Sequence, residues 1–173
     1  MNFDFFPKSG ELGFDPDLLQ KIHSYCIEKG ITLSVAESCT AGLLSSLIVG
    51  QSGASAYYKG GVVSYWNEIK NELLGVSEEI LKKHGAVSCE CAEAMAQGVR
   101  TKFHTDYALS ITGIAGPDGG TPTKPVGTVW IGFSSKNETF AKNYLFDGDR
   151  NKIRLLSAYS ALEILLLGIN SAK

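Results

Sequence analysis

The chain predicts a three-layer α/β/α domain on a mixed, mostly parallel sheet. Three features lead there. Short β-branched runs alternate with segments of helical apolar spacing, two strand-like runs close the series as a hairpin, and a glycine- and proline-rich stretch lies between the two regimes. At 173 residues the length suits about one domain, large enough to bury on the order of 70% of its unfolded surface. Neither an internal repeat nor a second-domain linker is visible. The expected division is an N-terminal arm over residues 1–14 and a single domain over 15–173.

Within the arm, Pro7, Gly10 and Gly13 interrupt any period. Asp15-Pro16 then predicts an N-cap with proline at the first helical position. Leu18, Leu19, Ile22, Tyr25 and Cys26 recur at helical spacing up to the stop at Gly30. Ile31 to Ala36 reads as a buried strand, and Thr40 to Gly50 as a helix with Leu43, Leu44, Leu47 and Ile48 on one side. Tyr57 to Tyr65 is a second strand whose Gly60-Gly61 marks a bend or a close backbone approach. Helices follow over Asn67–Leu74, from Ser77 to near Gly85, and from the Ser88 cap to about Phe103. Ala92, Met95, Ala96, Val99 and Phe103 form the apolar stripe of the last of these.

Tyr107 to Ile111 is a third strand. The fourteen residues Thr112–Pro125 after it hold four of the nineteen glycines and three of the five prolines. A structureless loop that long inside a compact domain is usually functional or disordered. Val126–Phe133 and Thr139–Phe146 form the hairpin around Ser135-Lys136-Asn137. A final helix carries Ile153, Leu156, Ala161, Leu165 and Leu166.

Composition removes several classes of function. Hydrophobic residues at 44% and charged residues at 20% do not suit a disordered chain. The longest strongly apolar run, Ile164 to Ile169, is well short of the ~20 residues that span a bilayer. The N-terminus lacks the pattern of a secretory signal. A net charge of −2 is a poor footprint for nucleic acid, though a small anion held by a few local groups is compatible with it. The expectation is a cytoplasmic protein that binds neither membrane nor nucleic acid. Cys26, Cys39, Cys89 and Cys91 form no zinc spacing and read as free thiols. His23, His84 and His104 are scattered, so neither a metal nor a cofactor is expected.

The sharpest chemical feature is Glu37-Ser38-Cys39-Thr40-Ala41-Gly42, small and polar residues between a buried strand and a helix. Ser38 would lie at the carboxyl end of that strand, where open α/β sheets bind ligands. Free N–H groups at the helix start could hold an anion or oxyanion. Equally, Ser38 or Thr40 could simply cap the helix. The pattern is not G-x-S-x-G, so a hydrolase nucleophile elbow is not indicated.

A serine nucleophile needs a base. Tyr65 and Lys70 would both reach Ser38 if the first two strands are neighbours, and a buried lysine can serve as general base. The plainer alternatives are a solvated Lys70 and a half-buried strand tyrosine. The glycines after Thr112 permit close backbone approach to a ligand, but neither a P-loop nor a G-x-G-x-x-G is present. Asp147-Gly148-Asp149-Arg150, with Arg154 a turn later, could hold a phosphate or merely end the hairpin and cap the helix.

Four segments in order carry a resemblance: Ala36–Thr40; Gly61–Tyr65 with Asn67 and Lys70; Ser110–Pro117; and Lys124–Val129. Over about residues 15–168 the chain resembles the C-terminal domain of CinA, the competence/damage-inducible family, including its stand-alone bacterial members. The resemblance implies a nicotinamide-nucleotide amidohydrolase of Ser–Lys type with no metal. Ser38 matches the proposed nucleophile, and Tyr65 and Lys70 match the proposed activating residues. Thr40, Thr112, Gly113, Gly116 and Arg150 match the substrate-binding positions. A small-molecule nucleotide is the implied partner, with a homo-oligomer expected. One departure is Ala41 before Gly42, where the family usually shows two glycines. The nucleotide-processing N-terminal domain of long CinA proteins has no counterpart in these residues, so its activity is not expected of them. Two other readings stand beside this one: a non-catalytic ligand-binding or regulatory domain linked to competence or DNA damage, and catalysis by the neighbouring Cys39.

Overall fold

Leu33–Glu37 forms an inner strand, β1, and is buried along its whole length, as a strand paired on both edges and covered on both faces requires. The computed structural model describes residues 7–171. Beside β1 stand β2 (Tyr58–Val63), β3 (Tyr107–Gly113), β4 (Thr128–Ser134) and β5 (Thr139–Leu145), in the order β2-β1-β3-β4-β5. β1 pairs parallel with β2 and β3, whereas β4 pairs antiparallel with β3 and β5. Only β4 is reversed, which makes the sheet mixed and mostly parallel.

Helices α1 (Leu18–Lys29), α2 (Leu43–Val49) and α6 (Arg150–Ser171) cover one face. The other face is covered by α3 (Asn67–Leu74), α4 (Glu78–Lys83) and α5 (Cys89–Phe103). The two faces differ in residue size because the strands alternate. Val35, Leu109, Ile111, Ile131 and Phe133 point toward α1, α2 and α6. Ala36, Ala108, Ser110 and Gly132 lie on the α5 side, where small residues let that helix approach closely. There Ser110 Oγ donates to Ala92 O at 2.6 Å, and a Cβ on Gly132 would stand 2.5 Å from the same oxygen.

Among the boundaries that differ from the sequence expectation, three have a plain physical reason. α1 starts at Leu18, because Asp15 caps the N–H of Asp17 (2.9 Å) in a preceding turn instead of opening the helix itself. α2 starts at Leu43, not Thr40, because Ala41 (φ 51°) and Gly42 (φ 92°) are both left-handed. β3 continues through Thr112 and Gly113 on the β4 ladder, so the glycine-rich loop is shorter than the pattern suggested. At Gly61 the expected close approach is present, since a Cβ would lie 2.7 Å from Val35 Cγ2 and 2.9 Å from Val35 O.

In the arm, Ser9–Leu12 forms a 3-10 turn, the Phe14 ring stacks on Tyr159 at 5.4 Å, and the Tyr159 hydroxyl donates to Pro7 O at 3.0 Å. Residues 1–6 lie outside the described residues. α6 is long and apolar enough to cross a membrane by length and composition, yet 61% of that window is buried inside the structure. Ile153, Ala158, Leu162 and Leu165 pack it into the core beneath β3 and β4.

Candidate active site

The chain leaves β1 for β2 on one side and later returns to β3 on the other, so the connections diverge at β1. Such a switch point opens a crevice at the carboxyl ends of the strands. A cleft of about 280 Å³ lies there, lined by Ser38, Tyr65, Lys70, Thr112, Gly116 and Arg150 among others. Of the larger hollows, two share no lining residue with this cleft, and a third along α3 and α4 shares only Asn67.

Ser38 is the first residue beyond β1, and its N–H continues the ladder by donating to Ile111 O at 2.9 Å. Lys70 arrives from α3, which begins shortly after β2 ends. Its Nζ lies 3.2 Å from Ser38 Oγ, 2.7 Å from Ser64 O and 3.5 Å from Tyr65 O. Lys70 is 1% exposed, which overturns the solvated alternative. No carboxylate pairs with it among the described residues, and burial pulls its pKa below the usual lysine range. A neutral amine can give its two hydrogens to the carbonyls of Ser64 and Tyr65 and keep its lone pair for the Ser38 hydroxyl. The charged form has no carboxylate partner among the described residues, so burial shifts the balance toward the form that can accept a proton.

Cys39 faces a different balance. It is 6% exposed, and burial pushes its thiol up to about 11. A thiol so far from ionisation is a poor nucleophile at neutral pH.

Tyr65 stands at the rim of the cleft. The residue is 54% exposed, and its hydroxyl accepts from Arg150 Nη2 at 3.2 Å. Among the described residues it makes no hydrogen bond to Ser38 or to the Lys70 amine through that hydroxyl. The side chain leaves the end of β2 toward the rim, while Lys70 comes in beneath it from α3. Arg150 also donates to Gly116 O at 2.7 Å, bridging the loop and the rim tyrosine.

Thr112 is buried on the cleft wall, its hydroxyl donating to Ala86 O at 2.8 Å, and Gly113 follows it there. Thr40 is fully buried and does not line the cleft; its carbonyl accepts from Arg154 Nη2 at 2.7 Å. Arg154 is therefore turned toward the backbone of the turn that follows Ser38 and not into the cleft.

The first N–H groups of α2 are not open to an anion, as the sequence had allowed. Glu37, fully buried, accepts from the N–H of Gly42 (3.0 Å), Leu44 (3.0 Å) and Ser45 (2.9 Å), and from Ser45 Oγ (2.7 Å). A carboxylate satisfying a helix start is favourable both as acceptor and through the helix dipole. Neither Ser38 nor Thr40 caps the helix. Among the described residues, the N–H groups of Cys39 and Thr40 donate to no backbone carbonyl. The sequence signal for this cap was an acid just ahead of the small residues that precede a helix. Asn67 and Asp118, exposed at the mouth, also line the cleft.

A serine hydroxyl facing an amine held out of water, at the switch point of a mixed α/β sheet, defines a protein class with a Ser–Lys pair in a ligand cleft. Comparison with known proteins places it more narrowly: the family described as CinA C-terminal domain matches residues 15–168, and the chain belongs to that family. A CinA-like protein of Dictyoglomus thermophilum is 47% identical over 169 residues, covering 96% of this chain and 39% of that protein. The chain thus spans about two fifths of that relative's length. Among solved structures, competence/damage inducible protein CihA from Agrobacterium tumefaciens is 36% identical with a TM-score of 0.88, covering 96% of this chain and 98% of that one. The competence damage-inducible protein A (ComA) of Klebsiella pneumoniae is 32% identical with a TM-score of 0.87, covering 91% and 98%.

Proposed function

We propose that the chain hydrolyses the carboxamide of nicotinamide mononucleotide, giving nicotinic acid mononucleotide and ammonia for pyridine nucleotide recycling. The observation that carries the reading is the 3.2 Å approach of the buried Lys70 amine to the Ser38 hydroxyl. Ser38 Oγ attacks the amide carbon while Lys70 takes its proton directly. The C–N bond then breaks, and the same proton leaves on the departing ammonia. Water attacks the resulting ester with Lys70 again as base, releasing the carboxylate and restoring the serine.

The N–H group of Cys39, a cleft-lining residue, donates to no backbone carbonyl among the described residues and suits the developing oxyanion better than those taken by Glu37. Arg150 at the mouth suits the phosphate. Tyr65 then acts at the substrate-facing rim and not as a proton relay. No group of three or more His, Cys, Asp or Glu residues suited to a metal exists among the described residues, so ligand-free protein is expected to keep its activity after chelation.

The test is ammonia release from nicotinamide mononucleotide by the purified chain. Ser38→Ala and Lys70→Ala should each lower kcat by more than ~10³, and the double variant should be little worse, because the pair acts as one unit. Additive losses, or an active Ser38→Ala, would sink the mechanism.

A further inference from the structure

The nucleophile turn is held in a conformation that its own sequence does not favour. Ala41 and Gly42 are consecutive left-handed residues, and alanine is strained there. What holds the turn comes from outside it, on both sides. Glu37 takes its later N–H groups, filling the acceptor capacity of one carboxylate with four donors. Arg154, from the second turn of α6, takes the carbonyl of Thr40 at 2.7 Å. Neither side chain lines the cleft.

We propose that Glu37 and Arg154 are positioning residues that clamp the Ser38 turn so that Oγ meets Lys70 Nζ; this rests on the Ser38–Lys70 reading above. Catalysis is steep in such placement, since a shift of ~1 Å can cost about 10²-fold. A glutamine at position 37 would turn one acceptor oxygen into an amide donor facing backbone or hydroxyl donors. A methionine at position 154 would fill the same space and release the Thr40 carbonyl. Because both act away from the ligand, the loss should fall on kcat and leave KM alone.

The experiment compares Glu37→Gln, Arg154→Met, Arg154→Lys and Ser38→Ala in the ammonia assay, each normalised to folded protein by circular dichroism. Glu37→Gln should lower kcat by about 10²-fold and Arg154→Met by more than about tenfold, with KM within about twofold of wild type. Arg154→Lys, which keeps a donor for the Thr40 carbonyl, should recover most of the turnover lost in Arg154→Met. If Glu37→Gln fails to fold, the Arg154 pair decides. Wild-type kcat in Arg154→Met, a loss carried by KM, or no recovery in Arg154→Lys overturns the clamp while Ser38→Ala stays inactive. An active Ser38→Ala instead overturns the underlying reading, and the clamp with it.

Discussion

A lysine taken out of water without a counter-ion costs stability while it is charged, and Lys70 is such a residue. Its folded pKa lies below the ordinary value of 10.5 because burial disfavours the ammonium. Below the folded pKa both native and unfolded chains carry the proton, and the native state bears the full desolvation cost. Between the folded pKa and 10.5 the unfolded chain binds more protons, so stability rises with pH there. Urea denaturation of wild type and Lys70→Met across alkaline pH should therefore show wild type gaining on the variant through that window. A constant gap would mean the amine is not titrating early. Turnover should rise as the pH passes upward through the folded pKa, where Lys70 becomes the neutral base, and level off above it. Cys39, with its thiol near 11, is expected to matter little: Cys39→Ala should keep most activity, and iodoacetamide should modify the native protein slowly.

Between elements, position is set by how closely small residues let backbones meet. Lys70 reaches Ser38 because α3 is pinned at its far end, where Leu74 and Val76 pack on α5. Gly98 in α5 makes that contact possible, since a Cβ there would overlap the carbonyl oxygen of Leu74. The opposing atom is backbone, which cannot rotate away. Gly98→Ala should therefore destabilise by ~3 kcal/mol, the upper end of the usual range for overpacking. Chemical denaturation measures it, and a shift below ~0.5 kcal/mol would show that α3 slides freely on α5. On the opposite side of the sheet, α2 owes its start to the Glu37 carboxylate at the end of β1, so strand and helix share one polar joint next to Ser38.

For the whole molecule, the cleft is where widely separated segments meet: the ends of the parallel strands, the loop after β3 and the first turn of α6. Arg150 joins two of them, Gly116 and Tyr65, while remaining exposed at the mouth. Its guanidinium has five N–H donors, and those two bonds leave others for a ligand. Arg150→Ala should raise the KM for nicotinamide mononucleotide by about 10- to 150-fold, the equivalent of ~1.5–3 kcal/mol for a charged hydrogen bond. An unchanged KM would remove Arg150 from substrate recognition and leave it a structural bridge.

Element order, the hairpin, the α3 bounds and the buried stripe of α5 were all legible in the chain, because burying one face imposes a local period of two or 3.6 residues. The position of Ser38 at a strand end was legible for the same reason. Whether Lys70 was solvated or buried was not, since its partner lies 32 residues away and a lone lysine on a short helix carries no period. Nor could the sequence say that Glu37 would take the α2 N–H groups, that Arg154 would turn to Thr40, or that Tyr65 would pair with Arg150 instead of Lys70. Local patterning by itself determined which segments are buried. Only the tertiary structure decided which polar groups meet, because hydrogen bonds and desolvation depend on neighbours brought together through space.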